Sequence, residues 1–434
     1  MEPAVRSPST KRIDGPAGRW IAAVCVLVVL AGLAVRWPWR NELTTDVRFF
    51  FAPWYDVLTQ NGGLAALRYP FYNYNPPYLY LLTVGTWLPV PELLAIKLIP
   101  VVFDLLLGYA GYLIVRQYTR GHGRALLAAA LLVLAPTVVL NSAWWGQCDS
   151  IYAAFSLLAL HHQLRNRTVL AWALLGVAVG FKLQALFLVP ALITVFACRG
   201  VRIRTALTAA CAFVGTFIAL LVPAWLAGAS WADLLRIYPA QVAASNTLAS
   251  RTLHELLGDP SMPYATGGGG QGAAPAAAFT YNAPSGYQWL PMDAGRGWFV
   301  VGIVAAAAVV GGAGLLAYRH RHAFGSRALL AVTAFQSTAI PFLLPAMHDR
   351  YFYVADAVLI AAACVLPRMI PAAVLAQVAS LTAYGVILWG APSALLPYAA
   401  VAELLAVTII GRVAWKQVCT TVDEPSFAAT DSVD

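Results

Sequence analysis

Charge is what this sequence has least of. Aspartate, glutamate, lysine and arginine make up 11% of its 434 residues, and 60% are hydrophobic. A soluble globular chain carries roughly 25% charged residues. Over this length the deficit excludes a soluble enzyme with one anchor and indicates a polytopic membrane protein. Lysine occurs at four positions only, Lys11, Lys97, Lys182 and Lys416. The cysteines (Cys25, Cys148, Cys198, Cys211, Cys364, Cys419) are scattered, without CxxC or Cys/His spacing, so neither a zinc-type site nor a disulfide framework is indicated. There is no D-x-D pair, a carboxylate arrangement common at divalent-metal sites. No metal and no cofactor is expected. The apolar runs lack the period-two alternation of a barrel, so they read as helices. The net charge of +9 does not indicate nucleic acid, because the basic residues lie in short clusters between apolar runs, as in cytoplasmic loops.

The expected fold is all-α, with about twelve transmembrane helices. A spanning helix needs roughly 20 apolar residues, and the runs fall at 19–36, 93–115, 125–141, 149–163, 168–181, 183–198, 205–227, 297–318, 328–345, 351–367, 370–389 and 395–412. Residues 1–18 form a basic tail. The first span lacks a small-x-small cleavage site and reads as retained. A single catalytic domain, 19–412, is followed by a tail at 413–434. Arg116, Arg120 and Arg124, then Arg165 and Arg167, then Arg199, Arg202 and Arg204, then Arg319, Arg321 and Arg327, then Arg368, Arg412 and Lys416 all fall in alternate connections. That bias places both termini in the cytoplasm of a plasma-membrane protein. Two connections on the opposite side are long, 37–92 and 228–296. The second contains a low-complexity stretch, GGGGQGAAPAAA (267–278), flanked by aromatic segments 231–242 and 281–293.

The first long connection holds two aspartates and many aromatics. Pro53 suits the start of a short amphipathic helix and Gly62-Gly63 its end. On that helix Trp54, Val57, Leu58 and Asn61 share a face, which directs Asp56 toward solvent and favours Asp46 as the functional acid. The stretch 78–90 is expected as a second short element near the surface.

Three further polar clusters lie on the same outer side. WWGQCDS (144–150) turns at Gly146, with Trp144, Trp145, Gln147 and Asp149; Asp149 is either an N-cap or a functional carboxylate. Lys182 sits in an apolar run, where a cation costs about 2.5–3.5 kcal/mol. It either snorkels or holds an anion. PAMHDRYFY (345–353) is either a surface turn or a site in which His348 and Arg350 hold phosphate. Lys97 and Asp104, seven residues apart on one helical face, read as a structural pair. Acid, amide, lysine, histidine and arginine converging on one face suit an anionic lipid substrate.

The series TTDVRFFFAPWYDVLTQNGG, NYNPPYLYLL, AIKLIPVVFDLLL, LNSAWWGQCDSIYAAFSLLAL, GFKLQALFLVPAL and MHDRYFYVADAVLI resembles bacterial membrane glycosyltransferases of the GT-C superfamily. Within it, the series is similar to the group related to the second GPI mannosyltransferase. WGQCDSIY is also similar to the GQ-x-D turn of dolichyl-phosphate-glucose-dependent glucosyltransferases. The resemblance implies a polyprenyl-phosphate-linked sugar donor, mannose favoured, and an acid in the first outer loop as general base. It assigns that role to Asp46 and places Asp149, Lys182, His348 and Arg350 at motif positions. Thr45 stands where the group has Gly, and Asp349 where it has Glu.

The expected reaction is inverting transfer to an acceptor hydroxyl on the extracytoplasmic face, with Asp46 as base. Lys182, Arg350 and His348 would bind donor phosphate. Asp149, Gln147, Trp144, Trp145, Tyr74, Asn75 and Tyr351 would contact sugar or acceptor. The partners are then the lipid-linked sugar, membrane lipids and a glycan, glycolipid or cell-wall acceptor. A flippase or exporter for a lipid-linked sugar is the alternative, and would need polar residues through the bundle midplane and paired broken helices.

Overall fold

The computed structural model describes residues 16–200, 202–244, 252, 294–323, 325–345 and 347–419. Among them all regular structure is helical. The helices are α1 (Pro16–Arg36), α2 (Ala52–Gln60), α3 (Pro76–Gly85), α4 (Glu92–Arg116), α5 (Gly123–Leu134), α6 (Pro136–Val139), α7 (Asp149–Leu164) and α8 (Thr168–Phe181). They continue as α9 (Val189–Cys198), α10 (Ile203–Leu226), α11 (Trp231–Ala244), α12 (Ala294–Arg319), α13 (Ser326–Leu343), α14 (Tyr353–Val365), α15 (Ile370–Trp389) and α16 (Leu396–Cys419). The stretches 267–278 and 281–293 lie outside the described residues.

Each expected span is helical, but twelve crossings are not what the lengths show. Among the described residues, six stretches are long and apolar enough to cross a membrane: Gly18–Trp39, Glu92–Arg116, Ile203–Leu226, Val300–Arg319, Pro367–Trp389 and Ser393–Cys419. Gly123–Leu134 with Pro136–Trp144 makes a seventh if that pair, bent by 43°, is taken as one span. Thr168–Phe181, Leu183–Cys198 and Tyr353–Val365 are shorter. The 14 residues of α8 rise about 21 Å, against a hydrocarbon core of about 30 Å. The chain is a helical membrane protein, and α16 carries its last helix beyond the expected limit of 412 to Cys419.

The bundle is held by small residues. A Cβ on Gly176 of α8 would lie 2.6 Å from the Phe213 carbonyl of α10, so these two helices meet backbone to backbone. Such approach is how helices associate where lipid supplies no hydrophobic drive. On the bundle's outside, Ile203, Leu207 and Leu226 of α10 are exposed, as befits a lipid-facing helix.

The basic connections meet at one end. Gln117 Nε2 contacts His161 Nδ1 at 2.8 Å, Arg199 donates to Asn166 Oδ1 at 2.9 Å, and the Tyr118 hydroxyl donates to the Ser326 carbonyl at 3.3 Å. The clusters at 46, 145–149, 182 and 350 meet elsewhere, joined to one another by the hydrogen bonds described below.

The expected Lys97–Asp104 pair does not form. Seven residues are two helical turns, about 10.5 Å along the axis, so the side chains share a face without touching. Asp104 is instead paired with Arg36 of α1, whose Nε and Nη2 lie 3.0 and 2.8 Å from Oδ2. Arg36 also donates to the Val133 carbonyl at 2.8 Å and the Gly32 carbonyl at 2.9 Å. Val133 stands beside the break that Pro136 forces between α5 and α6, where Ala135 turns extended at ψ 130°. A guanidinium fills the donor that the interrupted helix lacks. Lys97 donates to the Trp39 carbonyl at 2.7 Å and the Trp144 carbonyl at 3.3 Å.

The connection 37–92 folds onto this body. Val47–Phe51 is a π-turn, α2 follows, and Gly62 (φ 77°) and Gly63 (φ 65°) end it as expected. Trp54, Tyr55 and Leu58 are buried. Asp56 and Asn61 are exposed, so Asn61 does not share the packed face. The second short element is α3, whose Tyr80 hydroxyl donates to the Leu220 carbonyl of α10 at 2.9 Å.

Candidate active site

Three local features aim the site. The chain from the π-turn Leu140–Trp144 reverses at Gly146, where φ is +76°. A Cβ there would lie 2.8 Å from Val47 Cγ2, so the turn is pressed against the residue next to Asp46. Helix α8 stops at Phe181, and Lys182 is extended (φ −149°, ψ 139°) before the 3₁₀ turn Leu183–Leu188. The loop between α13 and α14 carries His348, Asp349 and Arg350.

These segments meet in one hydrogen-bonded chain. Asp46 Oδ2 accepts from Trp145 Nε1 at 2.7 Å, from Gln147 Nε2, and from Arg350 Nη1 at 3.3 Å. Gln147 Oε1 accepts from Lys182 Nζ at 3.4 Å. Lys182 also donates to Asp149 Oδ1, and Asn141 Nδ2 donates to Asp149 Oδ2 at 2.8 Å. Only one orientation of the Gln147 amide serves both neighbours, because a carboxylate can only accept and an ammonium can only donate. The cations also lie over aromatic faces: Lys182 is 5.2 Å from the Tyr74 ring centre and Arg350 4.6 Å from that of Trp145.

The two carboxylates differ. Asp149 uses both oxygens and its side chain is 3% exposed, which makes it an anchor for Lys182. It does not act as an N-cap: it is the first residue of α7, and no side chain caps that helix. Asp46 is 22% exposed. Its three donors all reach Oδ2, and among the described residues Oδ1 makes no hydrogen bond.

The 348–350 turn holds polar atoms without partners. His348 Nδ1, Asp349 Oδ2 and Arg350 Nε are buried and, among the described residues, make no hydrogen bond. Burial, with Arg350 and Lys182 nearby, lowers the His348 imidazole to about 4, so it is neutral at pH 7 and contributes hydrogen bonding rather than charge. Burial pushes Asp349 up to about 7, with Asp46 and Asp149 raising it further against the opposing pull of Arg350.

The expected site residues divide. Asp46, Trp145, Gln147, Asp149, Lys182 and Arg350 are joined, with Tyr74 beneath Lys182. The His348 and Tyr351 rings lie 4.9 Å apart. Asn75 is buried at the N-cap of α3, near Tyr238 of α11. Trp144 is not in the network: its ring packs on Trp39 at 4.4 Å and Trp389 at 5.4 Å. Trp144 ends the π-turn and Trp145 caps it, so their side chains diverge and only Trp145 reaches Asp46.

Two contributors escaped the sequence reading. Asn141 stands in the same block as WWGQCDS, where a buried amide five residues before the turn was a usable signal. Tyr384 of α15, 3.4 Å from Asn141 Nδ2, sits in an apolar run with no motif around it. Among the described residues, no group of three or more His, Cys, Asp or Glu is placed to hold a metal ion.

A comparison with curated proteins finds no match. The model of glycosyltransferase family 87 matches residues 71–345. That segment holds Tyr74, Asn75, the 144–149 turn and Lys182; His348 and Arg350 lie just past its end, and Asp46 lies before its start. Because more than half of the chain is matched, and the matched part carries one side of the network just described, the chain belongs to glycosyltransferase family 87, a GT-C-type family.

Proposed function

We propose that the chain transfers a sugar, mannose favoured, from a polyprenyl-phosphate donor to an acceptor hydroxyl on the extracytoplasmic face, inverting the anomeric centre. The observation that supports this most is the asymmetry of Asp46. One oxygen is pinned by three donors, and the other is open in a partly exposed side chain. That is the arrangement a fixed general base requires.

In this mechanism the acceptor oxygen attacks the anomeric carbon from the side opposite the phosphate. The bond from that carbon to the phosphate oxygen breaks as the new glycosidic bond forms. Asp46 Oδ1 takes the acceptor proton, from within about 2.6–3.2 Å. A β-linked donor gives an α-glycoside. The leaving phosphate gains negative charge, which Arg350 and Lys182 stabilise in a low-dielectric pocket. Arg350 has Nε free to donate and its side chain is 18% exposed. His348 adds a neutral hydrogen-bond donor, and Tyr74, Trp145 and Tyr351 form walls. Asp149 keeps Lys182 charged and in place rather than touching sugar. The acceptor is a glycan, glycolipid or cell-wall polymer. The family match supports transfer over the flippase reading.

The test replaces Asp46 with Asn and follows transfer from polyprenyl-phosphomannose by purified, folded protein. Loss of a proton acceptor costs on the order of 10²–10⁴-fold in turnover. Near wild-type turnover by folded D46N removes Asp46 as the base.

A further inference from the structure

Building on the reading of Asp46 as base, we infer that Lys97 is a positioning residue for it, acting through two backbone carbonyls and touching no substrate. Lys97 lies on α4 and is 3% exposed. Its Nζ bridges the carbonyls of Trp39 and Trp144, at 2.7 and 3.3 Å.

Those two carbonyls belong to the segments whose relative placement defines the base. Trp39 ends the 3₁₀ turn after α1, from which the chain runs to Asp46. Trp144 ends the π-turn, from which it runs to Trp145 and Gln147, two of the three donors to Asp46 Oδ2. Both carbonyls end helical turns, where partial negative charge collects; that of Trp39 also accepts from the Glu42 backbone amide at 3.1 Å. An ammonium has three N–H groups and no acceptor, so one lysine can serve both.

Two further contacts close the same junction. Thr44 Oγ1, two residues before Asp46, donates to the Trp145 carbonyl at 2.7 Å. A Cβ on Gly146 would lie 3.7 Å from Lys97 Cγ and 2.8 Å from Val47 Cγ2. The Lys97 stem, the turn and the residue after Asp46 are therefore packed together. Methionine fills the volume of lysine but leaves two carbonyls without this donor, which frees one segment to shift against the other.

The experiment compares K97M, K97R and T44V in the full-length protein, in detergent or nanodiscs, with donor KM and kcat measured separately. A displacement of the base by about 1 Å costs on the order of 100-fold. K97M is expected to lose about that much kcat while donor KM stays unchanged. K97R, whose guanidinium keeps donors for both carbonyls, is expected to restore most of the loss. T44V, a milder cut at the same junction, should lower kcat by a smaller factor. Wild-type kcat in folded K97M, a K97R no better than K97M, or a donor KM that rises while kcat holds would each overturn the inference. If K97M does not fold, T44V decides, and unchanged kcat there rejects it. D46N measured alongside separates the two readings. Inactive D46N with active K97M and T44V rejects the positioning role alone, whereas active D46N rejects the base itself.

Discussion

The Lys182–Asp149 pair is the place to separate holding the site together from acting on substrate. The two side chains are 11% and 3% exposed, so solvent screens them little. Removing one partner of a buried pair leaves an uncompensated charge and costs about 3–5 kcal/mol. D149N is the cleaner single change. Asn141 Oδ1 makes no hydrogen bond, so its amide can turn to meet the new Nδ2, and the loss reports mainly the charge. K182M leaves Asp149 as a buried anion held by Asn141 alone. Removing both leaves no stranded charge, so the double variant should fall short of the summed losses by about 2–3 kcal/mol, near the upper end for coupled neighbours. The assay is unfolding in detergent micelles followed by tryptophan fluorescence, with turnover measured on the same preparations. The stability loss should be less than additive in the double variant while transfer stays lost, because the cation proposed to meet donor phosphate is gone. Single losses that add within about 0.5 kcal/mol would show that the pair is not coupled. Recovered transfer in the double variant would show that Lys182 does not act on the donor.

Two further outcomes follow from the geometry. W145F keeps a ring beneath Arg350 but loses the Nε1 hydrogen bond to Asp46. A bond to a charged group contributes about 1.5–3 kcal/mol, so turnover should fall about 10- to 100-fold; W144F, measured the same way, should turn over like wild type. Asp349, raised from 3.8 to about 7 in the fold, keeps its proton between about pH 4 and 7 while the unfolded chain gives it up. The folded state thus binds more protons across that window, and stability should decrease as pH rises through it. D349N should flatten that part of the unfolding profile measured at pH 5 and pH 7.5, and an unchanged slope would locate the dependence elsewhere.

Much of this was legible in the sequence where a residue's meaning is local. Apolar run length gave the helices, and proline and glycine gave the limits of α2 at Pro53 and Gly62, whereas the break at Pro136 inside the expected span 125–141 was not read. The choice of Asp46 over Asp56 followed from helical phase, and Asp56 is exposed while Asp46 lies in the network. What could not be read were partnerships set by tertiary docking. Lys97 and Asp104 share a helical face, yet their partners come from the α1 end and the π-turn, and Arg36 resembled any basic residue at a span's end. Run length also does not tell a crossing from a shorter buried helix, hence the gap between twelve expected spans and the six that are long enough. Trp144 and Trp145 were indistinguishable because a π-turn of five residues, not an α-helix, sets their directions.

The pairing of Arg36 with Asp104 bears on how the protein is made. When α4 enters the bilayer, Lys97 and Asp104 are too far apart along it to neutralise one another. Each charge then weighs against insertion by about 2.5–3.5 kcal/mol. That debit is cancelled only when α1 docks to deliver Arg36, and when the 37–39 and 140–144 turns close over Lys97. A chain in which those segments fail to meet keeps exposed charges within its spans, a state that membrane quality control can recognise. The contacts that hold the Asp46 site in register thus also mark, during biogenesis, whether the first helices have assembled.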